Sequence, residues 1–258
     1  MAIQTDYHMH SFCSVDSSVP ILEMCRSALD AGLETVIFTE HKDFIAELEG
    51  CDYFDYGTYM REIGQCRKEF SPYLTIKTGI EVDYTSGYRE NALEFVSEYD
   101  FDFRIGSVHY LGTDPISETR SVEFFKTAPK QEVLPFYWNE LKACAGTGVF
   151  DAIGHLDMIK RYSIPFYGPF KAAAWEKEIT EILNLMISTE TVLEINTSGL
   201  RHEPEEVYPC KPILKKYKDL GGTKVTVGSD AHLPEHVGYE FNKAEALVQE
   251  FGFSLLEI

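Results

Sequence analysis

The chain has 258 residues, 44% of them hydrophobic and 13% aromatic, a length and composition that suit one large globular domain and exclude a disordered chain. Its 42 acidic and 23 basic side chains give a formal net charge of −19, which argues against a nucleic-acid partner, because phosphate backbones are gripped by clustered Lys and Arg. Six cysteines with no C-x-x-C pair argue against a thiolate metal site or a disulfide framework. The start, MAIQTDYHMH, runs straight into a strand without a leader-like region, and no apolar stretch reaches membrane-spanning length, so the expectation is a cytoplasmic protein with no membrane partner.

In chain order, a first strand is expected at 3–10 and a helix from Pro20 to Gly32, with Pro near the start and Gly just past the end. TVIFTE (35–40) reads as a second strand, 42–57 as an acidic, aromatic loop and 58–70 as a helix. YLTIKTGIEV is the third strand, 88–98 a helix and FDFRIGSVH the fourth strand. Residues 112–129 read as a long insertion, a place where function often collects. A helix at 130–145 precedes FDAIGH, the fifth strand; 159–170 reads as a loop and 172–188 as a helix. VLEINTS is the sixth strand, Pro212–Leu220 a helix, KVTVGS the seventh strand, 240–251 the last helix and SLLEI a short terminal strand. Repeated β-α units imply a parallel sheet, and seven of them predict a closed or nearly closed barrel that forms one domain over 1–258, with its site at the carboxyl ends of the strands.

Six of the eight histidines fall where an apolar, strand-like run ends: His8 and His10 in TDYHMHS, His41 in TVIFTEH, His109 in RIGSVHY, His155 in DAIGHLD and His232 in VTVGSDAH. Glu81 closes TIKTGIE, and Asp230 precedes His232 by two. Residues i and i+2 of a strand point the same way, so His8 and His10 should project together, with Tyr7 and Met9 on the other face. A lone H-x-H is as often structural as ligating. Imidazoles and carboxylates recurring at the ends of strand after strand are a ligand set suited to zinc, iron or manganese.

The ordered motifs H-M-H, T-E-H, G-I-E, G-S-V-H-Y, G-H-L-D and G-S-D-A-H resemble the polymerase and histidinol phosphatase (PHP) family across residues 3–258. The segments S-V-H-Y-L, G-H-L-D-M-I-K-R-Y and L-E-I-N-T-S-G-L-R are similar to its stand-alone histidinol-phosphate phosphatase branch. The resemblance implies a distorted (β/α)7 barrel carrying three divalent metals. His8, His10, Glu81 and Asp230 would hold the first; Glu81, as a bridge, with His109 and His155 the second; His41 and His232 the third. Many members place a further ligand, a histidine, in the first loop, where S-F-C-S-V-D here offers Asp16, with Cys13 as a rival. The implied substrate is a small phosphomonoester, L-histidinol phosphate.

Metals sharing a carboxylate lower the pKa of water held between them, which makes hydrolysis the expected chemistry. Glu81, Asp230 and His232 are the candidate catalytic residues, and either Asp230 or His232 could route a proton to the leaving group. Arg161 in IKRY and Arg201 in SGLR sit at rim positions where guanidinium groups can grip phosphate; the competing role for each is a surface ion pair. Asp43, Phe44, Asp83, Tyr84 and Tyr110, each close behind a ligand, are candidates for the amine and imidazole end of the substrate. Three alternatives stay open: another phosphoesterase of the same family acting on nucleotides or diesters, a metal-dependent amidohydrolase, and a non-catalytic metal-binding module.

Overall fold

A computed structural model describes residues 2–258. In chain order it contains β1 (Thr5–Met9), α1 (Ile21–Asp30), β2 (Thr35–Lys42), α2 (Tyr56–Phe70), β3 (Thr75–Asp83), α3 (Arg89–Glu98) and β4 (Phe103–Ser107). Then come a hairpin of β5 (Tyr110–Leu111) and β6 (Asp114–Pro115), α4 (Ser121–Thr127), α5 (Lys130–Ala145), β7 (Ala152–Ile153), α6 (Lys160–Tyr167), α7 (Glu176–Ser188) and β8 (Val192–Asn196). The chain ends with α8 (Lys211–Asp219), β9 (Lys224–Gly228), α9 (Phe241–Phe251) and β10 (Ser254–Leu255).

The main sheet is parallel, in the order β1-β2-β3-β4-β7-β8-β9-β10. It curls until its ends meet. At the carboxyl end, Met9 bridges Ala231, the His10 amide donates to Ala231 O at 2.8 Å and the Asp230 amide to His8 O at 2.7 Å. At the amino end, β10 adds to β9 and the Tyr7 hydroxyl donates to the Leu256 carbonyl, so the terminal segment fills the gap between β9 and β1. The result is the expected (β/α)7 barrel, closed by a short eighth strand.

Strand alternation divides the barrel interior by height. Tyr7, Ile37, Phe103, Ile105, Ala152 and Val192 form an apolar plug separate from the larger core beneath the helices. Residues two or four further along the same strands share that face. Ile37 thus leads to His41, Ile105 to Ser107 and Val192 to Glu194, so the barrel floor is oily and its mouth polar.

Two sequence expectations fail for identifiable reasons. Tyr7 does not share a face with Met9. The register between β1 and β2 shifts between Asp6 and Met9, and the irregularity puts Tyr7 in the plug while Met9 joins the outer core. Such a bulge re-aims side chains, and here Tyr7, His8 and His10 all face inward. The second failure is 159–170, which holds the helix α6 with Pro165 inside it. Proline argues against helix in a sequence, but here it lies in the final turns. The 112–129 insertion is also ordered, as the β5–β6 hairpin and α4, which packs on α6.

All six cysteines are unpaired. Among the described residues, no helix is long and apolar enough to cross a membrane.

Candidate metal centre and its rim

The inward face of the barrel mouth gathers every histidine singled out at a strand end. Glu81, on β3, lies at the centre and is fully buried. Its Oε1 is 2.9 Å from His155 Nε2 and 3.6 Å from His109 Nε2. Its Oε2 is 3.1 Å from His8 Nε2, 3.4 Å from His10 Nε2 and 3.2 Å from His41 Nδ1. One carboxylate therefore serves two groups of imidazoles, one oxygen each. Asp230 Oδ1 lies 3.5 Å from His10 Nε2 and 3.9 Å from His8 Nε2. Asp16, half-exposed on the first loop, reaches His232 Nε2 at 3.0 Å and His41 Nε2 at 3.5 Å.

Four overlapping triads have donor atoms within 4.8 Å of one another: His10/His41/His232, His8/His10/Asp230, His8/Glu81/His155 and His41/Glu81/His109. The three-way division implied by the family resemblance is blurred, because His8, His10, His41 and Glu81 each belong to two triads. Cys13 is not a competitor for Asp16. It is buried in the outer core, and burial followed by the Glu40 carboxylate pushes its thiol up to about 12, far from the thiolate that binds metal.

Carboxylates behind the histidines set their orientation. Glu194 Oε1 pairs with His8 Nδ1 at 2.7 Å, while Oε2 accepts from the His155 amide at 2.7 Å. Asp83 pairs with His109 Nδ1. Ser14 Oγ sits 3.0 Å from His10 Nδ1 and donates to Glu40 at 2.6 Å. Each such bond leaves the other ring nitrogen facing the centre, which is how metal-binding imidazoles are usually aimed. Sequence reasoning missed Glu194 and Glu40 and placed Asp83 at the rim. The available signal was an acid inside an apolar strand (L-E-I), since acids are almost never fully buried without a partner.

The glycine of G-S-D-A-H clears space for Glu194 and His8, and that of G-H-L-D for Ser107. A Cβ on Gly228 would stand 2.4 Å from Glu194 Oε1 and 2.4 Å from His8 Cβ, and one on Gly154 would stand 2.4 Å from Ser107 Oγ. His155 (φ 21°) and Asp230 (φ 54°) have left-handed backbone, a costly state for non-glycine residues that concentrates at functional sites.

The donor set fits divalent metals. Glu81 Oε2, His41 Nδ1 and His232 Nε2 are buried and make no hydrogen bond within the protein. Buried polar atoms are rarely left so, and these three face the centre. Burial raises the Glu81 carboxyl, but His8, His109 and His41 hold it well below its ordinary value. Asp230 behaves alike, with His8 the leading opponent of burial. Burial, then His232 and His41, press His10 down to about 3, so at neutral pH it is an unprotonated ligand.

The rim is divided by charge. Arg201 donates to Ser229 O at 2.9 Å and to Asp230 O at 3.0 Å, and lies over the Tyr239 ring. It thus ties down the segment that carries Asp230 and has further N–H groups to spare. Arg161 lies against Tyr162 with its Nε buried and without a partner. Neither arginine makes a salt bridge with a carboxylate at this rim among the described residues, so the ion-pair alternative finds no support. Burial, then Arg161 and Arg201, lower His202 to about 4. Its imidazole should therefore be neutral at pH 7, with an NMR titration midpoint well below that of free histidine. Arg161→Ala and Arg201→Ala should each raise that midpoint; no change in either would mean that the two cations do not converge there.

On the other side of the centre, a cleft of about 550 Å³ is lined by Asp16, His41, Asp43, Asp83, Tyr110 and Glu118, among others. Burial, then the Asp83 carboxylate, push Asp43 up to about 8. Two aromatic candidates are not there. Tyr84 is fully buried and packs edge-on against Phe150, and Phe44 packs against Phe95.

Comparison with known proteins agrees with this geometry. The family profile described as PHP domain matches residues 6–198. The chain is 32% identical to a probable histidinol-phosphatase of Clostridium acetobutylicum, over 93% of this chain and 90% of that one. It is also 32% identical to the histidinol-phosphatase of Lactococcus lactis, over 96% and 91%. The crystal structure of histidinol phosphate phosphatase from Lactococcus lactis, complexed with zinc, L-histidinol and phosphate, superposes with a TM-score of 0.87 at 30% identity, covering 98% of this chain and 95% of that one.

Proposed function

The chain belongs to the PHP domain family, and from that premise we propose that it is a metal-dependent phosphatase that hydrolyses L-histidinol phosphate to L-histidinol and phosphate. The observation that carries the reading is the placement of Glu81, whose two oxygens face two groups of imidazoles beside a rim bearing Arg161 and Arg201. Zinc in the Lactococcus lactis complex supports zinc here, and iron or manganese would suit the same donors.

His8, His10, Glu81 and Asp230 would hold one ion, Glu81, His109 and His155 a second, and His41, His232 and Asp16 a third. Bound there, the ions supply water activation at neutral pH and offset the charge of the phosphate. The protein's own residues do the rest. Arg161 and Arg201 orient the phosphate and stabilise the charge that grows on its oxygens during attack. Water oxygen bonds to phosphorus, the P–O bond to the alcohol breaks, and the departing alkoxide needs one proton. Asp230 and His232 are the candidates for routing it through water; His232 Nδ1 pairs with the Asp230 backbone O at 3.1 Å, which fixes the ring. The amine and imidazole of histidinol are assigned to the cleft, where Asp43, raised to about 8, offers a carboxyl group that can donate or accept, while Asp83 is engaged with His109 and Glu118 with Arg120. We assign the activity to one barrel domain spanning 1–258 and, on the six unpaired cysteines, to a reducing, cytoplasmic compartment.

The test is phosphate release from L-histidinol phosphate against a panel of other monoesters and diesters, after metal stripping and reconstitution. Activity should return with metal and favour L-histidinol phosphate. Elemental analysis of the gently purified protein should approach three ions per chain. A fully active preparation with one ion would overturn the three-ion assignment, and a preference for diesters would overturn the substrate.

A further inference from the structure

Immediately before Arg161 lies a lysine that no solvent reaches. Lys160 is fully buried. Its Nζ donates to Asp157 Oδ2 at 2.8 Å, to Glu206 Oε1 at 2.9 Å and toward Val207 O at 3.4 Å. It also lies over the Tyr208 ring, 5.0 Å from the centroid. Asp157 Oδ2 accepts a second bond, from the Cys210 amide at 3.0 Å.

These contacts join two rim segments. One runs from His155 through Asp157 to Arg161. The other runs from Arg201 to Cys210 and is stitched back to β8 by paired bonds between Tyr208 and Asn196, at 2.9 and 2.7 Å. Lys160 is thus an ionic strap between the segment bearing Arg161 and the segment bearing Arg201. Stability is a poor reason for it, because burying an ion pair costs solvation and apolar replacements of similar volume are often neutral or better. Geometry is the better reason, since oriented groups lose efficiency steeply when displaced by about 1 Å.

We propose that Lys160 is a positioning residue for phosphoester hydrolysis: through Asp157 and Glu206 it sets the separation of Arg161 and Arg201, so that both guanidinium groups meet one phosphate. The inference rests on the phosphatase reading above. It assigns Lys160 no contact with substrate, so its effect must pass through the arginines.

The test is a double-mutant cycle on the metal-replete protein. Lys160→Met and Glu206→Gln are each made alone and together with Arg161→Ala. The readouts are kcat and KM for L-histidinol phosphate and p-nitrophenyl phosphate, Kd for inorganic phosphate, metal content and Tm. Lys160→Met should lower kcat/KM about 10- to 100-fold and weaken phosphate binding, with metals retained. In the Arg161→Ala background the same change should cost less than about twofold, because neighbours acting through one group are not additive. Should Lys160→Met fail to fold, Glu206→Gln decides. Glu206 is 43% exposed in its side chain, so this milder change keeps the fold; it should lower kcat/KM measurably in the parent, by less than Lys160→Met does, and not at all in Arg161→Ala, because neighbours acting through one group are not additive. Equal losses in both backgrounds would overturn the inference and leave Lys160 a structural residue. The phosphatase reading fails separately, if the parent protein hydrolyses neither monoester; the cycle on phosphate Kd then still decides Lys160.

Discussion

Glu81→Gln is expected to strip the protein of metal and cut turnover by at least about 1000-fold, since losing a single preorganised charge-stabilising donor already costs roughly 100- to 1000-fold. The amide keeps the shape of the carboxylate and removes its charge. Each oxygen of Glu81 faces its own set of imidazoles, so a ligand shared by two ions is lost at once. One amide nitrogen would also point a donor at His8 or at His155, where a lone pair is needed. Apo protein should be left with His8, His41 and His109 less able to hold protons, because Glu81 is one of the carboxylates that raises each of them against burial. Metal analysis and kcat on the same preparation check this. A Glu81→Gln protein with a full complement of metal and near-normal turnover would remove the bridging role.

Arg161→Ala should separate phosphate recognition from metal assembly. Arg161 touches none of the imidazole cluster, and its Nε has no partner to leave behind. Metal content should stay unchanged and Tm should move by no more than about 2 °C. In contrast, kcat/KM should fall about 100- to 1000-fold, with kcat itself reduced, because a guanidinium–phosphate contact that strengthens as charge builds is worth most in the transition state. Arg161→Lys should recover only part of this, lacking the planar fork. Arg201→Ala should be as damaging to kcat/KM and less clean, since Arg201 also holds the carbonyls of Ser229 and Asp230 and its loss loosens the segment that carries Asp230. Normal hydrolysis of L-histidinol phosphate by both variants would exclude the phosphate clamp.

Much of the architecture was legible in the sequence because it is written in short-range patterns. The alternation of strand-like and helix-like runs is local, and so is the rule that a histidine closing an apolar run sits at the carboxyl end of a strand. Together they predicted a parallel barrel with its histidines at one mouth. Asp16 could be named only because the family resemblance implies a ligand in the first loop; it lies 3.0 Å from His232. Where local rules misled, a tertiary contact had overridden them. Residues 159–170 read as a loop, yet α6 forms there against α4 with Pro165 inside it. Tyr84 is a different case: it follows Glu81 by three, so strand alternation, itself a local rule, turns it outward into the core.

By itself, then, the sequence determined which ligand candidates reach the barrel mouth: His8, His10, His41, Glu81, His109, His155, Asp230 and His232. Position at the end of a strand-like run suffices for that, whereas Arg161 and Arg201 lie beyond the strands and were placed at its edge with the help of the family resemblance. Only the tertiary structure decided how they are aimed. The bulge that turns Tyr7, His8 and His10 all inward arises from pairing with β2. The carboxylate that orients His8 and receives the His155 amide stands 186 and 39 residues away from them. The left-handed turn of Asp230 is held by His8 O and by Arg201, and Glu206 meets Lys160 across 46 residues. The physical reason is common to all of these. Facing is a property of one strand, whereas orientation needs hydrogen bonds and space from partners far along the chain, whose identity becomes clear only once the barrel has closed and brought them together.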